Sequence, residues 1–192
     1  MQTSVNNFRK AAPSFLLCVA LAGAFFPLVS SAQNLSTPLA PYIDDYTQVT
    51  KLLSANQLGE ALVKAEAYLS NKPKDPQMRF IKGVILTDMG KSADAIDLFV
   101  TLTQDYPELP EPYNNLAVLY AANNQFEQAR VSLEMAIRTN PSYATAHENL
   151  GDVYVKLASQ SYGKALQLEP NKTTIQPKLA LIRTLFAPTA KP

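Results

Sequence analysis

Histidine, cysteine and glycine are all scarce in this chain, and each scarcity removes a class of chemistry. His147 is the only histidine, so a single chain cannot build a multi-histidine metal centre. No serine or cysteine nucleophile motif accompanies it, which leaves a lone histidine without a catalytic partner. Cys18 is the only cysteine, and no intrachain disulfide is available. The six glycines are scattered singly, so no glycine-rich loop exists to cradle a phosphate. An excess of one charge is missing as well: 17 Lys and Arg stand against 16 Asp and Glu, for a net charge of +1. Nothing in that balance points to nucleic acid or to an anionic membrane surface. The longest apolar run, 15–29, contains Pro27 and follows Pro13. It is shorter than the roughly 20 residues a spanning helix needs. The sequence thus predicts a non-enzyme with no cofactor and no metal.

The amino terminus has its own pattern. Residues 1–10 are polar, carry no acid and end in Arg9-Lys10; the apolar run follows, and Ser30-Ser31-Ala32 supplies small residues. That is the layout of a secretory signal peptide over 1–32, with cleavage expected after Ala32 and an exported, periplasmic product. An uncleaved membrane anchor is the alternative. Cleavage would remove Cys18, Arg9 and Lys10, leaving 15 basic against 16 acidic residues and no stable membrane span. Residues 33–41 are polar and proline-bearing, and are expected to form a flexible linker.

The rest of the chain repeats itself. Pro73, Pro107 and Pro141 are evenly spaced, as are Ala61, Ala95 and Ala129, and as are Gly83, Ala117 and Gly151. All three ladders climb by the same step of 34. Between these positions, apolar residues recur every three or four places, which marks amphipathic helices. Small residues at 83, 117 and 151 let one helix approach the next, and a proline after each second helix ends it. Gly90 and Asn123-Asn124 suit the turn between helices. The segment 112–141, PYNNLAVLYAANNQFEQARVSLEMAIRTNP, shows the whole unit. It resembles one tetratricopeptide repeat (TPR), a family whose units recur at this same period. The resemblance covers 42–170 and implies an all-α fold, a short right-handed superhelix of helical hairpins. Its units are 42–75, 76–109, 110–143 and a shortened 144–172, within a repeat domain over 42–172. A C-terminal helix is expected over 173–186, with its core at 174–186, before a frayed tail at 187–192.

The last unit breaks the pattern. Ala165 and Pro170 match Ala136 and Pro141 at a spacing of 29, five residues short, at the place where the turn belongs. Leu150, Tyr154, Leu157, Ser161, Ala165 and Leu168 keep helical steps throughout. One long helix over 143–168 is therefore expected; a tight hairpin turning near 158–161 is the alternative. Gly163 disfavours the long helix by about 1 kcal/mol relative to alanine without forbidding it.

The resemblance also implies where a partner would bind, since the first helix of each repeat lines a concave groove. The lining maps onto Tyr46 and Thr50; Phe80, Val84 and Thr87; Asn114, Asn115 and Val118; and Glu148, Asn149 and Asp152. The asparagine amides would meet a peptide backbone, and the apolar members would take alternate side chains. Glu148 and Asp152, one turn apart, read more simply as a solvated acidic face than as a cation site. His147, at a large-residue position, is expected to pack between helices. The carboxylate-binding clamp of some TPR proteins needs basic groove residues. The matching positions, Tyr46, Thr50, Ile81, Glu111 and Asn115, or one unit later Phe80, Val84, Asn115, Thr145 and Asn149, offer none. The expected function is a scaffold or adaptor of the bacterial cell envelope that holds an extended or helical protein segment. A homo-oligomerisation module using the C-terminal helices is the alternative.

Overall fold

The computed structural model describes residues 44–186, so the expected leader, linker and tail lie outside the described residues. Among the described residues eight helices follow one another: α1 (Asp45–Ser54), α2 (Leu58–Asn71), α3 (Pro76–Asp88), α4 (Ser92–Asp105), α5 (Pro110–Ala122), α6 (Phe126–Thr139), α7 (Ala144–Leu168) and α8 (Ile175–Leu185). Local signals start several of them. The carboxylates of Asp44 and Asp75 accept the backbone N–H of Thr47 and Met78, each at 2.8 Å, and so cap α1 and α3. Prolines fill the first turns of α3 and α5, where a missing N–H costs nothing.

The first six helices form three hairpins, and each reverses through the same backbone device. Asn56, Gly90 and Asn124 have φ of 58°, 74° and 59°. The next N–H reaches back across the turn: Gln57 to Leu52 O at 2.9 Å, Lys91 to Leu86 O at 2.9 Å, and Gln125 to Tyr120 O at 2.8 Å. These are Schellman closures around a left-handed residue, a state that glycine and asparagine reach at little cost. The second helices end alike. Lys72, Tyr106 and Asn140 donate to the carbonyls four residues back, and a proline follows each.

Helix α7 keeps that ending but loses the reversal. Glu169 donates to Ala165 O at 2.9 Å and Pro170 follows. The α5–α6 hairpin occupies 30 positions, 110–139, whereas α7 has 25, so five residues are gone. Ala158, one full repeat step after Asn124, sits inside the helix, and alanine resists the left-handed state. The single long helix is therefore what forms, rather than the hairpin. Helix α8 folds back antiparallel along its second half: Lys156 Nζ lies 4.0 Å from the Phe186 ring centroid, and Lys178 Nζ lies 5.1 Å from that of Tyr162.

Among the described residues, α1, α3, α5 and α7 touch in succession, while α2, α4 and α6 do not touch one another. The first helices therefore form the inner layer of a curved stack. The core runs along it as three clusters: one around Val49, Ala65 and Ile85, one around Phe80, Phe99 and Leu102, and one around Ala117, Leu133 and Val153. Helices α3 and α4 approach closely at Gly83, where an added Cβ would stand 2.6 Å from Cε1 and Cζ of Phe99.

Candidate functional site

The inner layer holds the residues expected in the groove, but it buries several of them. Asn114 and Asn149 are fully enclosed and bonded to each other, Asn149 Nδ2 donating to Asn114 Oδ1 at 2.9 Å. Asn115, also buried, donates its amide to the carbonyl of Glu111, one turn back in α5. The expectation that these amides stand free for a peptide backbone gives way to a structural role. They tie α5 to α7 and close the first turn of α5. Two buried donors have no acceptor among the described residues, the Asn114 amino group and the Tyr143 hydroxyl. Burial and the Glu111 carboxylate push the Tyr143 hydroxyl well above the ordinary tyrosine range.

The other expected residues divide between core and surface. Phe80 is buried, its ring 5.8 Å from that of Phe99, and Val118 is buried in α5. Val84 is half-buried against the same cluster. Thr50 turns its hydroxyl onto the Tyr46 carbonyl at 2.8 Å, and Thr87 does the same to Gly83 at 2.9 Å. Tyr46 donates to Asp75 Oδ2 at 2.6 Å, beside Tyr68. Burial, with Asp75 next, raises its pKa far above the usual tyrosine value. Glu148 is exposed and Asp152 half-buried. Burial, with Glu148 next, holds the Asp152 carboxyl above its ordinary value. No cluster of three or more metal-ligating side chains occurs among the described residues.

His147 departs from expectation. It is exposed, with Nε2 3.0 Å from the Pro141 carbonyl. Its face of α7 lacks the second helix that would have covered it.

The concave layer does carry a cleft, displaced from the expected centre. Asp75, Pro76, Gln77, Phe80, Leu109, Glu111 and Pro112 enclose about 230 Å³ between the first turns of α3 and α5. Only Phe80 belongs to the sequence-derived lining. The walls are chiefly apolar, and two carboxylates stand at the rim. Asp75 is committed to its helix cap and to Tyr46. Glu111 makes no ion pair or side-chain hydrogen bond among the described residues. One signal in the sequence marked this place: Asp75, Leu109 and Tyr143 are spaced by the repeat step, each the residue before a helix. Only the first has a capping oxygen, and Leu109 turns that position apolar. A larger cleft of about 290 Å³ between α1 and α2 has its lysines engaged, Lys64 donating to Gln48 at 3.0 Å and Lys72 lying over the Tyr68 ring.

Comparison with known proteins agrees with this architecture. Residues 119–157 match a family model described as TPR repeat. The chain is 33% identical over 79 residues to the chloroplastic tetratricopeptide repeat domain-containing protein PYG7 of Arabidopsis thaliana. It is 33% identical over 75 residues to the TPR repeat-containing thioredoxin TTL4 of the same plant. These matches use 38% and 39% of this chain but only 26% and 11% of the relatives. Among solved structures, the chain is similar to TTC0263, a TPR protein of Thermus thermophilus, with 25% identity, a TM-score of 0.56, and 74% and 81% of the two chains covered. YrrB, a TPR protein with an unusual peptide-binding site, gives 26% identity and a TM-score of 0.51 over 54% of each chain. The first TPR domain of human RPAP3 shares the fold at 16% identity, with a TM-score of 0.57 over 61% of this chain and 92% of that one. The evenly stepped ladders, the three like hairpin closures and these likenesses converge: the described residues fold as a stack of tetratricopeptide repeats, matched directly over 119–157.

Proposed function

We propose that this protein is a non-catalytic adaptor which holds an extended segment of another protein against its concave face. TPR domains typically act as protein–protein interaction modules, although one relative here is a TPR-containing thioredoxin. The observation that carries the reading is the cleft between α3 and α5. Its apolar walls of Phe80, Leu109 and Pro112 suit one aliphatic or aromatic side chain, and the unpaired Glu111 carboxylate beside them suits a lysine or arginine next to it. The preferred segment is therefore an extended peptide in which an apolar residue neighbours a basic one. YrrB, with its peptide-binding site, shares the fold, which is consistent with this use. The expected groove residues Tyr46, Thr50, Val84, Glu148 and Asp152 extend the surface on both sides of the cleft. Export to the periplasm of a bacterium is part of the proposal and rests on the pattern of residues 1–32.

Selection from a random peptide display library tests the groove. Enriched peptides should pair an apolar residue with an adjacent cation, and Glu111→Lys should weaken them roughly tenfold, the loss of about 1.4 kcal/mol. Peptides that bind Glu111→Lys and Gln77→Arg as well as the parent would place the site elsewhere. A second reading, self-association through the C-terminal helices, is favoured by the open state of α7 and is developed next.

A further inference from the structure

The three closed hairpins share a volume rule that the fourth unit obeys without using it. In the buried cluster of each hairpin, a small residue on one helix shares the core with a larger one on its partner, in direct approach at Gly83 and Phe99. Val49 goes with Ala65 in the first cluster, Gly83 with Phe99 in the second and Ala117 with Leu133 in the third. Each unit follows the last at a step of 34. Carried into the fourth unit, where the second helix is shifted by 29, the pair becomes Gly151 and Tyr162. Glycine opposite an aromatic ring is the solution of the second unit. The segment 158–170, ASQSYGKALQLEP, keeps the second-helix features of the third unit, with Ala158, Ser161, Ala165 and Pro170 at the places of Ala129, Ser132, Ala136 and Pro141.

Within one chain these complementary halves cannot meet. Gly151 and Tyr162 lie on the same helix, eleven residues or about 16 Å apart. An added Cβ at Gly151 would meet nothing within 4 Å, in contrast to Gly83. The surrounding face is bare: His147 is exposed and Tyr154 is 49% exposed. The matching residues of the second half are also less covered than their counterparts. Ala129, Leu133 and Ala136 are fully buried, whereas Ala158, Tyr162 and Ala165 are only half-buried, although α8 lies alongside.

We infer that a second copy of this chain covers the exposed face of α7, the two α7 helices lying antiparallel. A hairpin's helices are antiparallel, so this arrangement lets the first half of each α7 take the second half of the other. Tyr162 of the second copy sits over Gly151, and the reciprocal contact forms by symmetry. The two-fold axis passes between Lys156 and Leu157, midway between Gly151 and Tyr162. Such an isologous exchange uses contacts that the closed units already make. The Lys178 ammonium over the Tyr162 ring can stay in place, because α8 packs beside the second half of α7. This interface specifies the self-association reading. The cleft between α3 and α5 contributes no residue to this interface, so failure of the interface would leave the groove proposal standing.

Cysteine pairing in the full chain, in a Cys18→Ser background, tests the exchange. Gly151→Cys and Tyr162→Cys proteins, oxidised after mixing, should give a two-chain species that neither gives alone. The parent should reach the mass of two chains in light scattering as concentration rises. Gly151→Leu should retain its helical circular dichroism, since the position is open in the single chain, and should self-associate at least tenfold more weakly. Three results would each overturn the inference. One is a single-chain mass at every concentration. Another is a Gly151→Cys/Tyr162→Cys protein that closes within one chain. The third is a Gly151→Leu variant that associates as well as the parent.

Discussion

Replacing Gly83 and Phe99 with the pair found one unit later offers a direct measure of how this stack is held together. Gly83→Ala puts a methyl group 2.6 Å from the Phe99 ring, where carbon atoms normally rest at about 3.5–4.0 Å. The ring must retreat by about 1 Å in a core where Phe99 is fully buried, an overpacking that costs about 1–3 kcal/mol. Alanine's helix propensity returns about 1 kcal/mol, so the net loss is about 0–2 kcal/mol. Phe99→Leu alone leaves a void over Gly83 and costs about 1–2 kcal/mol, below the range for truncation to alanine. The double variant reproduces the Ala117–Leu133 combination, which packs in the third cluster with both residues fully buried. Its methyl group enters the space the ring vacates, so it should be more stable than the two single losses predict, by about 1–2 kcal/mol of coupling. Urea unfolding followed by far-UV circular dichroism gives the four free energies, and each kcal/mol should move Tm by about 2–4 °C. Additive losses would refute the idea that glycine and ring are one volume unit.

Other consequences are local. Asn149→Leu strands the enclosed Asn114 carbonyl and should destabilise the fold by about 1–3 kcal/mol; Asn114→Leu added to it should recover part of that loss in the same unfolding assay. Asn124→Gly should leave the α5–α6 turn intact, whereas Asn124→Val forces a branched residue to φ near 59° and should cost about 1–2 kcal/mol or more, read as a lower urea midpoint. Asp152, whose folded pKa is raised by burial and then by Glu148, binds its proton more readily folded than unfolded. The stability it contributes is therefore fully present below the ordinary carboxylate range and is lost as pH rises through the folded value. Asp152→Asn should raise Tm over the parent at neutral pH and lose that advantage in acid; an advantage independent of pH would contradict this account.

The helical layout was legible because its causes are local and recur. Pro73, Pro107 and Pro141 with Ala61, Ala95 and Ala129 mark the three hairpins at one spacing, Gly90 and Asn123-Asn124 mark two of the turns, and the missing five residues announced the long α7. The site was less legible for a geometric reason. Adjacent helix residues point about 100° apart, so a small phase error exchanges a groove residue for a layer residue. Asn114 and Asn149 illustrate this. Each reads as a polar surface residue until the other, 35 positions away, supplies the hydrogen bond that permits burial. The cleft at Leu109 and Glu111 depends on how two helix starts sit side by side, which no run of residues within one helix encodes. His147 is exposed rather than packed between helices because α7 runs straight on where the other units turn back a second helix.

The one-residue reversals at Asn56, Gly90 and Asn124 also bear on how such a chain changes in length. Each hairpin depends on a single codon for asparagine or glycine, set within a three-residue turn. An in-frame loss of five codons across the fourth such place is enough to turn a closed unit into a rod about 37 Å long. Restoring five residues with an asparagine or glycine among them should close the unit again and leave α8 at the end of an ordinary fourth hairpin. Architecture here is digital: a small insertion or deletion decides whether a surface is satisfied at home or offered abroad.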